Sequence, residues 1–134
     1  MTIIRSIAAV LAGLIFIFIT HSGMDFILES LGIFMSPHEN FHTTWMVVTA
    51  FIYRTLLSIA GGYLTARLAP SRPMTHALAL GTIGLIFCTV AATVLIPMNI
   101  SPTWYPIALA LVAVPSGWLG GKLAEKAIPK PQLA

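Results

Sequence analysis

Seven residues of this chain have side chains and spacings that could do chemistry, and all of them fall in its first 54 positions. His21, Asp25 and Glu29 recur at i, i+4 and i+8, so a helix would stack them along one face. His38 and His42 form a second one-turn pair with Glu39 between them. Three of the four acidic residues and three of the four histidines therefore sit within 22 positions of one another, between His21 and His42. Two carboxylates and two imidazoles are a donor set suited to a zinc-like ion, which makes Asp25, Glu29, His38 and His42 the candidate metal ligands. His38-Glu39-Asn40-Phe41-His42 also fits the H-E-x-x-H pattern, in which two histidines one turn apart hold zinc and the glutamate acts as base. Arg54 stands apart from these. It lies inside an apolar run, nine residues after Trp45, where an arginine costs roughly 2.5–3.5 kcal/mol to insert.

Each feature also has a plainer use. A zinc hydrolase needs a third ligand and a substrate cleft, and a chain of this length has no room for a soluble catalytic domain. Glu39 can serve as the third residue of a helix cap. Polar residues also gather at a membrane boundary simply because that depth tolerates them. The sequence therefore predicts no catalytic residues, and no cofactor is expected, with a divalent cation such as zinc the one candidate. Arg54 should face the bundle interior with His21 beside it as an intramembrane polar site. Its donors should meet backbone carbonyls near Leu111, freed because Pro115 has no N–H to give. Counted by depth along the two helices, Asp25 should lie too far outward to reach Arg54.

The elements that must position these residues are four apolar runs. The chain has 134 residues, of which 57% are hydrophobic and 8% charged. Its mean hydropathy is +0.92. So little charge cannot cover a soluble domain, and the expectation is a single all-α membrane domain spanning residues 1–134. A span takes about 20 helical residues. Four fit, at about residues 2–31, 37–69, 74–96 and 102–127. Gly32 is placed for a left-handed cap on the first, and Ser36, Pro37 and Glu39 form a start signal for the second. Pro70 stops the second helix, Pro97 limits the third, and Ser101-Pro102 repeats the start signal for the fourth. The first run is not expected to be a cleaved secretory signal, because no small-x-small site follows it. Cys88 is the single cysteine and has no disulfide partner in the chain.

Seven basic and four acidic residues give a formal charge of +3. The charges punctuate the ends of apolar runs and form no nucleic-acid-binding patch. Arg5, Arg67, Arg72, Lys122, Lys126 and Lys130 all share one side if the N-terminus is inside, and the opposite connections carry no Lys or Arg. The positive-inside rule then predicts two helical hairpins with both termini cytoplasmic. A weak repeat runs through them. Gly62-Tyr63-Leu64 and Arg67-Leu68-Ala69 match Gly117-Trp118-Leu119 and Lys122-Leu123-Ala124, and Gly13-Leu14-Ile15-Phe16 recurs as Gly84-Leu85-Ile86-Phe87. Such a pattern would arise from a parallel 2+2 duplication.

Small residues at four-residue spacing predict close helix packing: Ser58, Gly62 and Ala66; Ala77 and Gly81; Ala113, Gly117 and Gly121. They serve a compact bundle, a homo-oligomer or contact with a larger membrane partner equally well.

The stretches GGYLTARLAPSRPMTHALALG (residues 61–81) and PTWYPIALALVAVPSGWLGGKL (residues 102–123) resemble a group of small bacterial four-helix inner-membrane proteins with no assigned activity. The resemblance implies a fold and a bacterial cytoplasmic membrane, and no chemistry. Small multidrug exporters share the size but carry a glutamate in the middle of the first helix, where this chain has Ile15 to Ile19. Dual-topology fluoride channels need a balanced charge bias and a phenylalanine-serine-threonine motif, where this chain reads Phe87-Cys88-Thr89. The leading expectation is a non-enzymatic structural, accessory or oligomer-forming bundle in the lipid bilayer. A small transporter or ion-binding protein using Arg54 and the acid–histidine cluster comes next, and a metal-dependent membrane hydrolase last.

Overall fold

A computed structural model of the chain describes residues 2–33, 44–98 and 102–127. They form four helices: α1 (Thr2–Ser30), α2 (Thr44–Leu68), α3 (Pro73–Met98) and α4 (Trp104–Ala127). All four are long and apolar enough to cross a membrane, so the chain is a multi-pass membrane protein. At 1.5 Å per residue the shortest, α4, spans about 36 Å, more than the ~30 Å hydrocarbon core.

The ends of the helices follow local chemistry. Gly32 adopts φ 74°. Its N–H bonds to the Glu29 carbonyl at 3.1 Å, and the Ile33 N–H bonds to the Leu28 carbonyl at 2.9 Å. This is the left-handed cap expected there, with two orphan carbonyls satisfied. The expected start of α2 at Ser36, Pro37 and Glu39 lies outside the described residues. Two boundaries differ from expectation. α3 continues through Pro97 to Met98. Proline forfeits one hydrogen bond, yet its fixed φ is itself helical, so a final turn can still form around it. α4 is regular from Trp104, two residues later than expected, and the Tyr105 N–H closes a single turn on the Pro102 carbonyl at 3.1 Å.

In lipid no hydrophobic force joins helices, so packing depends on how closely their backbones approach. The small-residue rows supply that approach inside one chain. A Cβ added to Gly117 would lie 2.7 Å from the Ala77 carbonyl and 3.2 Å from the Gly81 Cα, both on α3. On the neighbouring face, a Cβ at Gly62 of α2 would lie 3.1 Å from Gly117 itself. Gly121 meets Met74 and Ala77, and Gly81 meets the backbone at Ala113 and Val114. The tightest contact of α4 to α2 belongs to Gly120, which the four-residue rows passed over. Its added Cβ would be 2.4 Å from the Ile59 carbonyl and 2.5 Å from the Tyr63 nitrogen. α4 thus packs extensively on both α2 and α3, while α1 leans on α2 and touches α3 more lightly.

α1 is seated near its start. Thr65 of α2 donates to the Ala9 carbonyl at 3.1 Å, and a Cβ on Gly13 would collide with the Thr65 hydroxyl. His76 at the head of α3 ties to α1 through Ser6 at 2.8 Å. The other His76 nitrogen, Nδ1, donates to the Arg72 carbonyl at 2.9 Å. Along the rest of its length α1 exposes Ile15, Phe18, Ile19, Phe26 and Ile27, and its buried residues are Ala9 and Gly13 alone.

Candidate intramembrane binding site

Contacts fix how α1 and α2 run. Ala9 meets Thr65, and Asp25 meets Tyr53 and Arg54, so the two helices are antiparallel. Every helical Cα–Cβ bond tilts toward its own N-terminus. Side chains near the end of α1 therefore lean back along the bundle, whereas those of α2 lean toward the α1–α2 connection. Asp25 and Arg54 consequently lean toward each other.

That convergence corrects the depth argument. Arg54 Nη2 donates to Asp25 Oδ2 in an ion pair, and the Tyr53 hydroxyl donates to Asp25 Oδ1. Asp25 is the partner of Arg54, not a residue beyond its reach. Counting residues compared Cα levels, but an arginine side chain reaches several ångströms and leans the right way. Leu111, whose carbonyl was expected to accept from Arg54, lies on an outward face at 70% exposure. His21, one turn before Asp25, is beside Arg54 as expected but meets its backbone, with Nε2 3.1 Å from the Arg54 carbonyl. A carbonyl can only accept, so Nε2 carries the proton.

Tyr53 is the functional residue that sequence reasoning missed. Its signal was adjacency: a phenol next to a buried arginine is a ready second donor for whichever carboxylate pairs with it. Together the three side chains place one carboxylate between two donors, with the Asp25 and Arg54 side chains 29% and 27% exposed. The Nε of Arg54 is buried with no hydrogen-bond partner among the described residues.

Of the candidate metal ligands, only Asp25 and Glu29 are among the described residues. Glu29 lies half-buried one turn beyond Asp25. His38 and His42, with Glu39 between them, lie outside the described residues. Among the described residues, no group of three or more His, Cys, Asp or Glu is placed to hold a metal ion. Both Asp25 oxygens are already engaged, so service as a metal ligand would require at least one of them to change partner.

The ion pair borders a cavity of about 800 Å³ to which all four helices contribute. On α1 the middle of its wall is the stripe Leu14, Phe18, His21 and Asp25, spaced i, i+4, i+7 and i+11 as one helical face, with Ile15, Ile17, Ile19 and Ser22 flanking it. Arg54, Thr55 and Ser58 line it from α2, Gly84, Phe87 and Cys88 from α3, and Leu109 and Ala113 from α4. The volume lies in the upper part of the range for small-molecule sites, and the composition is typical of one: mostly apolar walls with a few convergent polar groups. Of the packing residues, Ser58, Ala113 and Gly117 also border this space, while Gly62, Ala66 and Gly121 work away from it.

No protein-family model, curated protein or solved structure matches the chain.

Proposed function

We propose that the chain binds a small molecule within the membrane, as a carrier or a receptor for it, and that the Arg54–Asp25 pair is the polar anchor of the site. The observation that carries this reading is the cavity. A charged pair that served only to hold α1 on α2 would need every donor and acceptor partnered to offset its desolvation, and the Arg54 Nε has no partner among the described residues. Here the pair borders a space large enough for a ligand. Intramembrane ionisable residues that line a cavity commonly mark a substrate or ion pathway.

The setting proposed with it is a bacterial cytoplasmic (inner) membrane with both termini cytoplasmic, as the placement of basic residues and the family resemblance suggest. Two hairpins related as a parallel 2+2 repeat have two supports. The matched glycines Gly62 and Gly117 face each other, as residues beside a two-fold axis would. The matched aromatic–basic pairs make the same contact, Arg67 at 5.8 Å from the Tyr63 ring centroid and Lys122 at 5.7 Å from that of Trp118.

Native mass spectrometry of the whole protein, released gently from its own membrane, tests the reading. The wild type should retain a discrete additional mass, and a Cys88→Phe variant, which fills part of the cavity and leaves the ion pair intact, should lose it. Bare protein in both cases would leave the structural or accessory bundle, alone or in a homo-oligomer, as the function of these helices.

A further inference from the structure

Which class of molecule the cavity takes follows from where it opens and how its polarity is arranged; the inference rests on the binding reading above. Phe18 and Phe87 both line the cavity, yet they remain 73% and 61% exposed. They come from α1 and α3, so the open side lies between those two helices and faces the hydrocarbon. Near the starts of α1 and α3 the same gap is shut. Ser6 and His76 join across it at 2.8 Å, and a Cβ at Gly13 would lie 3.0 Å from the Leu80 side chain. The opening is a lateral slot, closed at one end.

Polarity runs along the slot. At the closed end the walls are Leu14 and Leu80, and toward the other end come Ser58, then His21, Ser22, Arg54 and Asp25. From Leu14 to Asp25 is about 16 Å along α1 at 1.5 Å per residue. A compact polar solute would leave the apolar end unfilled, while a bare hydrocarbon would leave the polar end without partners. A molecule with a chain and a head matches both.

The charge of the head follows from the pair. Asp25 already neutralises Arg54, so an anionic head would leave the site with a net negative charge in a medium of low dielectric, where unpaired charge is most costly. An uncharged head adds none. The guanidinium has five N–H donors, and Asp25 Oδ2 takes its share through Nη2. Its Nε has no partner among the described residues, so Arg54 keeps a donor to give, and the complementary head accepts hydrogen bonds. We infer that the cavity takes an uncharged amphiphile from the bilayer, which enters between α1 and α3, lays its chain toward Leu14 and Leu80, and places a hydroxyl- or carbonyl-bearing head beside Arg54.

The test uses the full chain in phosphatidylcholine vesicles and a monoacylglycerol carrying a diazirine in its chain and a terminal alkyne. After photolysis, label per residue at Phe18 and Phe87 should exceed that at Phe26, an exposed residue of α1 off the cavity, by about tenfold, the ratio a 1.4 kcal/mol preference gives. Excess monooleoylglycerol should erase the preference, and neither glycerol nor oleate at pH 9 should. Cys88→Phe should abolish it, while Val94→Phe, an exposed position of α3 off the cavity, should keep it. Equal labelling at Phe18 and Phe26 in the wild type overturns the inference without reference to any variant, and equal competition by oleate overturns the uncharged head. A water-soluble molecule found in the native protein, with no probe preference, would defeat the amphiphile and leave the cavity reading standing. Bare protein together with no preference would defeat both.

Discussion

Deleting the Asp25 carboxylate while Arg54 stays is the perturbation with the largest effect to be worked from these contacts. Breaking a fully buried pair by removing one partner costs about 3–5 kcal/mol, because the remaining charge is stranded. Here the two side chains are 29% and 27% exposed, which scales the loss down by about a third. The unfolded protein in a membrane also finds substitute partners, which lowers it further. Tyr53 loses its acceptor in the same step, worth about 1 kcal/mol at the low end for an unsatisfied polar group. Asp25→Leu should therefore destabilise by about 3 kcal/mol. Arg54→Leu should cost less, about 1 kcal/mol, since Asp25 keeps the Tyr53 hydroxyl as a hydrogen-bond donor. The double variant should be close to wild type, because an apolar pair of similar volume replaces a buried ion pair with little loss. The coupling energy expected is then about 3–4 kcal/mol, which requires the two sites to interact directly. Equilibrium unfolding in mixed detergent micelles, followed by the fluorescence of Trp45, Trp104 and Trp118, measures all four corners of the cycle. A coupling below about 0.5 kcal/mol, the level at which independent sites add, would refute the claim that Arg54 depends on Asp25.

Three further outcomes can be checked. Gly120→Val should destabilise by more than about 3 kcal/mol, because the obstruction is the backbone at Ile59 and Tyr63 and cannot turn aside, whereas Gly23→Ala, whose added Cβ meets nothing within 4 Å among the described residues, should gain up to about 1 kcal/mol from helix propensity in the same assay. In a Cys88→Ala background, a cysteine at Asn99 should react with an impermeant maleimide from the extracytoplasmic side, and a reporter fused after Lys130 should be cytoplasmic. Labelling of Asn99→Cys only from the cytoplasm would reverse the orientation. Elemental analysis of untagged protein should give equal, substoichiometric metal in the wild type and in a His38→Ala/His42→Ala variant, because Asp25 is engaged on both oxygens. Stoichiometric metal lost in the variant would instead establish a cation site and reopen the hydrolase reading.

Four spans, the cap at Gly32 and the close-packing glycines were legible because each depends on local sequence: an apolar run of sufficient length, a residue free to take positive φ, a missing side chain at a helical interval. The same holds for the recognition that Arg54 is out of place in an apolar helix. The partner of Arg54 was not legible from residue counts, which give the levels of Cα atoms and omit the lean of side chains on antiparallel helices. Gly120 was passed over because a four-residue row marks one face, while α4 packs on two neighbours at once. The cavity lay further still from the sequence. Its wall on α1 joins Leu14 and Phe18, which read as ordinary lipid-facing positions, to His21 and Asp25, whose chemistry was legible but whose shared space was not. Sequence by itself determined that this chain crosses a membrane four times with a misplaced arginine in its second span. Only the tertiary structure decided that α1, held to α2 and α3 near its own start, stands off from α3 farther along, because the tight contacts at Ser6, Ala9 and Gly13 have no counterpart at Phe18, and so gave that arginine both a carboxylate and a cavity.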